Sequence, residues 1–167
     1  MPSIEHDRLT EMAARWLKRN GFGVVATELT CQGSREQPDA IGFRSEVSAI
    51  IEVKVSRADF KADLNKPERQ SGGLGLYRFY LCPADLIQPD DLPAGWGLLY
   101  ARGRGIEAVV APRGNAWPQA VVSMSEAVLE APWSAEWVAF QHDPDLKAER
   151  SALYSIARRA QATQTKA

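Results

Sequence analysis

The hydrophobic pattern of the first 20 residues predicts an amphipathic helix. Apolar side chains recur at positions 9, 12, 13, 16 and 17, a spacing that places them on one helical face. Ser3 can cap this helix, which ends at about Asn20 before the stop signal Gly21. Residues 23–30 are rich in β-branched side chains and predict a first strand.

Two further strands are predicted over residues 39–43 and 48–55, around a turn at residues 44–47. If that turn is centred between Ser45 and Glu46, Asp39 lies directly across from Glu52. Their Cβ atoms are then roughly 5 Å apart, as in any antiparallel pair of residues. The hairpin alone therefore predicts two neighbouring carboxylates.

Side chains in the second of these strands alternate between two faces. Glu52 and Lys54 share one face with Ile50, while the other face carries only apolar residues. So apolar a strand is typical of a sheet covered on both sides. Burying a charge there costs several kcal/mol unless the charge is paired or binds a metal. We therefore expect Glu52 and Lys54 to be paired or to take part in a metal site.

The rest of the chain predicts a helix over residues 57–65 capped by Ser56, then a mobile glycine-rich loop over residues 67–75. Strands follow at residues 77–82, 96–101 and 106–111, the last at a sheet edge. A short helix over residues 123–129, a longer one over 145–161 and a frayed tail over 161–167 complete the prediction. We expect a single domain over residues 1–167, with its core at 3–111.

Composition narrows the class of protein. A chain of 167 residues with 45% hydrophobic and 25% charged residues is sized for one globular domain. The net charge of −1 argues against a protein that coats nucleic acid, although a nuclease needs only a local basic strip. Cys31 and Cys82 lack metal-ligand spacing, and no apolar run is long enough for a membrane span or a signal peptide, which favours the cytoplasm.

Asp39 and Glu52 form a set of oxygen ligands suited to Mg²⁺, which takes one or two carboxylates together with waters and phosphate oxygens. The Val53 carbonyl offers another oxygen. Lys54 on the same face can orient a water or neutralise charge on a phosphate. His6 beside the apolar face of the first helix is interpreted as structural.

These residues resemble the PD-(D/E)XK nuclease superfamily, the match being Pro38-Asp39 followed by Glu52-Val53-Lys54. The resemblance implies a restriction-endonuclease-like αβββαβ core, an α/β fold with a central mixed sheet. It also implies metal binding by Asp39 and Glu52 and a catalytic Lys54.

The superfamily often adds a glutamate from its first helix, here Glu11 or Glu5. Glu11 fits the sequence pattern and is favoured, although it faces away from the apolar stripe. Glu5 lies on the better face but fits the pattern less well, so the choice stays open.

A closer resemblance covers about residues 6–110, including the segments ELTCQGSREQPDAIGF and IIEVKVSRADFKAD. It points to a group of small, largely uncharacterised phage and prophage proteins. Glu36, which lies near Pro38, bears on either the metal or the turn. Ser56, Arg57 and Asp59 either shape the site and contact phosphate or only cap the following helix.

The leading hypothesis is a Mg²⁺-dependent DNA endonuclease, with Mn²⁺ as a substitute metal. A basic strip would hold the phosphate backbone without reading sequence; its members are Arg57, Lys61, Lys66 and Arg69. One alternative is a non-catalytic phage protein that binds nucleic acid or a host defence protein on the same fold. RNA as substrate and a homodimeric state are further open possibilities.

Overall fold

The computed structural model describes residues 3–29, 36–120 and 134–165. Its centre is a six-stranded mixed sheet whose strands lie side by side in chain order. The strands are β1 (Val24–Thr27), β2 (Ala40–Phe43), β3 (Ser48–Val53), β4 (Tyr77–Pro83), β5 (Trp96–Arg102) and β6 (Gly105–Val110). β1 to β3 are antiparallel, β3 to β5 run parallel, and β6 returns antiparallel along the edge.

Helix α1 (Ile4–Arg19) covers one face of the sheet. The Ser3 hydroxyl accepts a hydrogen bond from the His6 N–H at 3.1 Å, which confirms the predicted cap. After the helix, Gly21 has a φ of +82°, a conformation that glycine adopts without strain. The predicted apolar stripe is also confirmed, since Leu9 and Leu17 are fully buried in the core beneath the helix.

The register of the β2–β3 hairpin is the one predicted from its turn. Ala40 pairs with Ile51 and Ile41 with Ile50, so continuing the ladder by one residue sets Asp39 opposite Glu52. β3 is buried along its whole length and ends at Val53, two residues earlier than predicted. Ile51 packs on the α1 side of the sheet and Ile50 on the opposite side, so the predicted alternation is confirmed.

The connection from β3 to the parallel β4 passes through α2 (Arg57–Asp63), which begins at the predicted cap, Ser56. A single 3-10 turn, Pro67–Arg69, follows. Phe60 anchors α2 against the sheet by an edge-to-face contact with Tyr80, whose ring centroid is 5.0 Å away. The segment at residues 67–75, predicted as a mobile loop, therefore begins with an ordered 3-10 turn.

The described C-terminal part contains α3 (Ser134–Val138) and α4 (Leu146–Gln164). The Asp145 N–H donates to the Gly73 carbonyl at 2.8 Å, and the Gly75 N–H donates to the Glu149 carboxylate at 2.9 Å. The Ser48 hydroxyl also donates to Glu149. Helix α4 is therefore tied to the loop that follows the 3-10 turn and to the start of β3.

One expectation for the C-terminal region changes, and another is not tested. Helix α4 continues to Gln164, so most of the tail expected at residues 161–167 is helical. The helix predicted at residues 123–129 lies outside the described residues.

The architecture is α/β, with a mixed sheet flanked by helices on both faces. Across the described ranges, no helix has the length and apolar character needed to cross a membrane.

Candidate active site

The site lies where β2 begins and β3 ends. Asp39 directly precedes β2, and its Oδ2 accepts a hydrogen bond from the Val53 N–H at 2.7 Å. Glu52 and Lys54 project from the same face of the neighbouring strand, and the Lys54 Nζ lies 3.5 Å from the Glu52 Oε2. The fold therefore brings the three predicted residues together, with Val53 contributing its N–H to hold Asp39 in place.

Burial differs among these three residues. The side chains of Glu52 and Lys54 are 3% and 9% exposed, whereas that of Asp39 is 17% exposed. The Glu52 Oε1 has no hydrogen-bond partner among the described residues. Its nearest cationic neighbour, the Arg69 Nη2, lies 3.2 Å away in an ion pair that is not a hydrogen bond. A buried acceptor without a donor is unusual and points to a missing partner.

Asp63, at the end of α2, is a site residue that the sequence analysis missed. Its side chain is 1% exposed, and its carboxylate is contacted by several donor groups. The Lys54 Nζ lies 3.2 Å from Oδ1, and the Tyr80 hydroxyl donates to Oδ2 at 2.7 Å. Arg69 donates to both oxygens, at 2.8 and 2.9 Å. Asp63 therefore fixes the position of the Lys54 ammonium group.

Arg69 occupies a different place from the one predicted. We expected it on an exposed basic strip, but its side chain is only 2% exposed. Its Nη1 donates to Glu36 at 2.7 Å, and its guanidinium carbon lies 4.8 Å above the ring centroid of Trp96. The prediction was wrong because Arg69 pairs with buried carboxylates, the nearby Asp63 and the more distant Glu36 and Glu52, and this ion pairing draws the guanidinium inward.

The residues expected from α1 also change. Glu11 is 75% exposed and its ion pair is with Arg15, so it does not join the site. Glu5 is 44% exposed and bonds to Arg8. The α1 residue that reaches the site is instead His6, whose Nε2 lies 3.1 Å from the Asp39 Oδ1.

The remaining members of the predicted strip have exposed side chains. Arg57 is 45% exposed and forms a bidentate contact with Asp91. Lys61 is exposed on α2. Lys66 is 48% exposed, and its Nζ lies 2.9 Å from the Asp63 Oδ1. The surface next to the site thus carries three cationic side chains rather than four.

One group of donors among the described residues is compact enough to hold a metal ion by itself. His6, Asp7 and Glu28 bring their ligand atoms within 4.8 Å of one another. Asp7 is 62% exposed, and the His6 Nε2 is engaged by Asp39. This group adjoins the Asp39–Glu52 pair.

Burial and neighbouring charges move two carboxyl groups in opposite directions. Desolvation raises the pKa of Glu52 to about 7, although Lys54 and Arg69 oppose the change. Burial also acts to raise the pKa of Asp63, but hydrogen bonds and charges from Arg69 and Lys54 outweigh it and lower that pKa well below its usual range. Asp63 is therefore permanently ionised, whereas Glu52 titrates near neutrality.

We expect replacement of Glu52 to change how stability depends on pH. Because the folded pKa of Glu52 is raised from 4.5 to about 7, its stabilising contribution is full below pH 4.5 and is lost as the pH rises towards 7. His142 does the reverse. Burial lowers its pKa from 6.5 to about 4, so its contribution is full above pH 6.5 and is lost on acidification.

Between pH 4.5 and 6.5 the wild-type free energy of unfolding should therefore change by no more than about 1 kcal/mol. Glu52→Gln removes the first effect, so its free energy of unfolding should rise by about 2 kcal/mol over the same interval, allowing for partial exposure of His142. Urea unfolding at several pH values measures both slopes. Equal slopes for the two proteins would contradict the raised pKa of Glu52.

Comparison with known proteins yields a structural likeness. No protein-family model and no curated protein matches the sequence. Among solved structures, the fold is similar to the SPO1766 protein of unknown function from Silicibacter pomeroyi, with a TM-score of 0.58 and 25% sequence identity. The match covers 98% of this chain and 92% of that one, so the likeness extends over the whole α/β domain.

Proposed function

We propose that this protein is a metal-dependent nuclease of the PD-(D/E)XK superfamily, with a restriction-endonuclease-like core, that hydrolyses DNA. One observation carries the proposal. Two carboxylates on adjacent strands, Asp39 and Glu52, stand beside Lys54, and the buried Glu52 Oε1 lacks a hydrogen-bond donor. The element order α1, β1, β2, β3, α2, β4 is the order expected for that core.

The donor set suits Mg²⁺, or Mn²⁺ in its place. Such ions favour oxygen ligands and take one or two carboxylates, the remaining positions going to water and phosphate oxygens. Asp39 and Glu52 would hold the ion, since one is partly open to solvent and the other has an unsatisfied oxygen. When bound, the ion polarises a phosphodiester and lowers the pKa of a coordinated water.

The residues around the ion have separable roles. The Val53 N–H fixes one oxygen of Asp39, so the carboxylate needs no reorganisation before it acts. Lys54, held 3.2 Å from the Asp63 carboxylate, presents a positive charge beside Glu52. There it orients the attacking water or neutralises charge that develops on the phosphate.

The cationic surface next to the site supports a nucleic-acid substrate. Arg57, Lys61 and Lys66 are exposed near α2 and can contact backbone phosphates, which position a nucleic acid without reading its sequence. These contacts fit structure-selective or weakly selective cleavage. We propose DNA as the polymer and treat RNA as a direct experimental comparison.

The proposal is tested by incubating the protein with supercoiled, linear, single-stranded and branched DNA, and with RNA, in the presence of Mn²⁺ or Mg²⁺. We expect DNA cleavage that a chelator abolishes. Lys54→Ala should lower the rate by about a hundredfold or more, the size of effect common for a positioned proton-transfer group. Lys18→Ala is the matched control, because Lys18 is exposed near the end of α1.

Other outcomes point elsewhere. Full cleavage by Lys54→Ala would remove Lys54 from the mechanism. A wild-type protein that shifts DNA in a gel but cuts no polymer with either metal would favour the alternative of a non-catalytic binding protein. Preferential cutting of RNA would keep the site chemistry and change the substrate.

A further inference from the structure

We propose that Arg69 is a positioning residue that sets the metal affinity of this site, because its guanidinium serves Glu52 as a built-in counter-cation. A divalent ion at Glu52 then binds against a fixed positive charge. The inference rests on the proposed function in one respect only, which is that Asp39 and Glu52 form the metal site.

The geometry separates what anchors Arg69 from what it influences. Its hydrogen bonds go to Glu36 and Asp63, and Trp96 lies beneath the guanidinium. Towards Glu52 it makes a 3.2 Å ion contact but no hydrogen bond. Arg69 can therefore stay in place when the Glu52 oxygen takes another partner, and its effect on that partner is electrostatic.

The local charge balance determines whether Arg69 raises or lowers the metal affinity. The cluster joined by ion pairs to Arg69 and Lys54 contains three carboxylates, Glu36, Glu52 and Asp63. Three cations match them, Lys54, Lys66 and Arg69. With Glu52 ionised the cluster is therefore neutral, and an incoming divalent ion relies on Asp39 for additional negative charge.

Like charges a few ångströms apart in a partly buried site repel by more than they would in water, because the effective dielectric constant is lower. Replacing Arg69 with a neutral residue removes that repulsion. It also leaves the charges of Glu36 and Asp63 less compensated, which attracts a cation. Both consequences strengthen metal binding, whereas loss of a purely structural residue would weaken it or leave it unchanged.

The test is isothermal titration of the metal-free protein with Mn²⁺ alone at fixed pH and ionic strength. Arg69→Gln should bind Mn²⁺ about tenfold more tightly than the wild type, an order of magnitude set by one unit charge near the ion. Arg69→Lys keeps the charge and should restore wild-type affinity. Arg57→Gln, which removes an exposed arginine paired with Asp91, should leave the affinity unchanged. Glu52→Gln should abolish binding.

Urea unfolding checks that each variant is folded, and Arg69→Met, which retains an apolar stem over Trp96, replaces Arg69→Gln if the latter does not fold. A folded neutral variant that binds Mn²⁺ no more tightly than the wild type overturns the inference, including the case in which neither binds. If DNA is cleaved but Arg69→Gln leaves affinity unchanged, the inference fails and the nuclease proposal stands. If no polymer is cleaved but Arg69→Gln tightens Mn²⁺ binding, the inference about Arg69 stands and the nuclease proposal fails.

Discussion

If the protein is the proposed nuclease, an Asp39→Asn variant is expected to lose about a thousandfold of the metal-dependent DNA cleavage while remaining folded. The substitution removes the charge of the more exposed carboxylate but keeps an oxygen that can accept the Val53 N–H. A bound metal contributes several kcal/mol to stabilisation of the transition state, and each 1.4 kcal/mol corresponds to a tenfold change in rate. Loss of one of the two proposed carboxylate ligands should therefore remove most of the activity.

The measurement is the rate of supercoiled plasmid nicking at saturating Mn²⁺, together with Mn²⁺ affinity by titration. Asp90→Asn provides a matched control, since it neutralises an exposed aspartate in the 3-10 turn Pro89–Asp91. Sustained cutting by Asp39→Asn with unchanged metal affinity would sink the mechanism. A loss of cutting with intact metal binding would move Asp39 from metal ligation to substrate positioning.

Asp63→Ala is expected to lower the free energy of unfolding by about 3–5 kcal/mol, the usual consequence of removing one partner from a buried ion pair. The variant removes the Asp63 carboxylate from Lys54 and Arg69, whose side chains are 9% and 2% exposed, and leaves Lys54 with Glu52 as its ion-pair partner. It also leaves the buried Tyr80 hydroxyl without its acceptor. Urea denaturation at pH 7 gives the difference directly.

The comparison for this effect is Asp90→Ala, whose exposed position predicts a change within about 0.5 kcal/mol. A loss below about 1 kcal/mol for Asp63→Ala would mean that the cations find water or other acceptors. That result would weaken the role of Asp63 in holding Lys54.

The hairpin shows why part of this site was predictable. A two-stranded hairpin has one register once its turn is located, so Asp39 and Glu52 could be paired from residue spacing alone. Strand alternation then assigned Lys54 to the same face. Helix α1 was equally predictable from the sequence, because its apolar periodicity, its Ser3 cap and its Gly21 stop signal agree with one another.

The acidic and cationic surroundings were harder to predict because they depend on tertiary packing. Asp63 lies one helical turn after Phe60, and residues three apart share a face, so its burial beneath α2 had a local signal that polarity obscured. Arg69 had a weaker signal, since only Asp63 among its carboxylate partners is near in sequence, whereas Glu36 and Glu52 come from distant segments. On α1, the resemblance to the superfamily pattern favoured Glu11. In the helix that residue faces solvent, and His6 is the residue that lies next to Asp39.

The hydrogen bonds between α4 and the loop after the 3-10 turn limit how far the chain can be truncated from its C-terminal end. A chain truncated after β6 would keep all six strands of the described residues, yet it would leave the Gly75 N–H and the Ser48 hydroxyl without the Glu149 carboxylate. It would also uncover the sheet face on which Ala148 and Ala152 are buried. Since the loop connects Arg69 to β4, we expect a stably folded unit to require the C-terminal helix and not to end at β6.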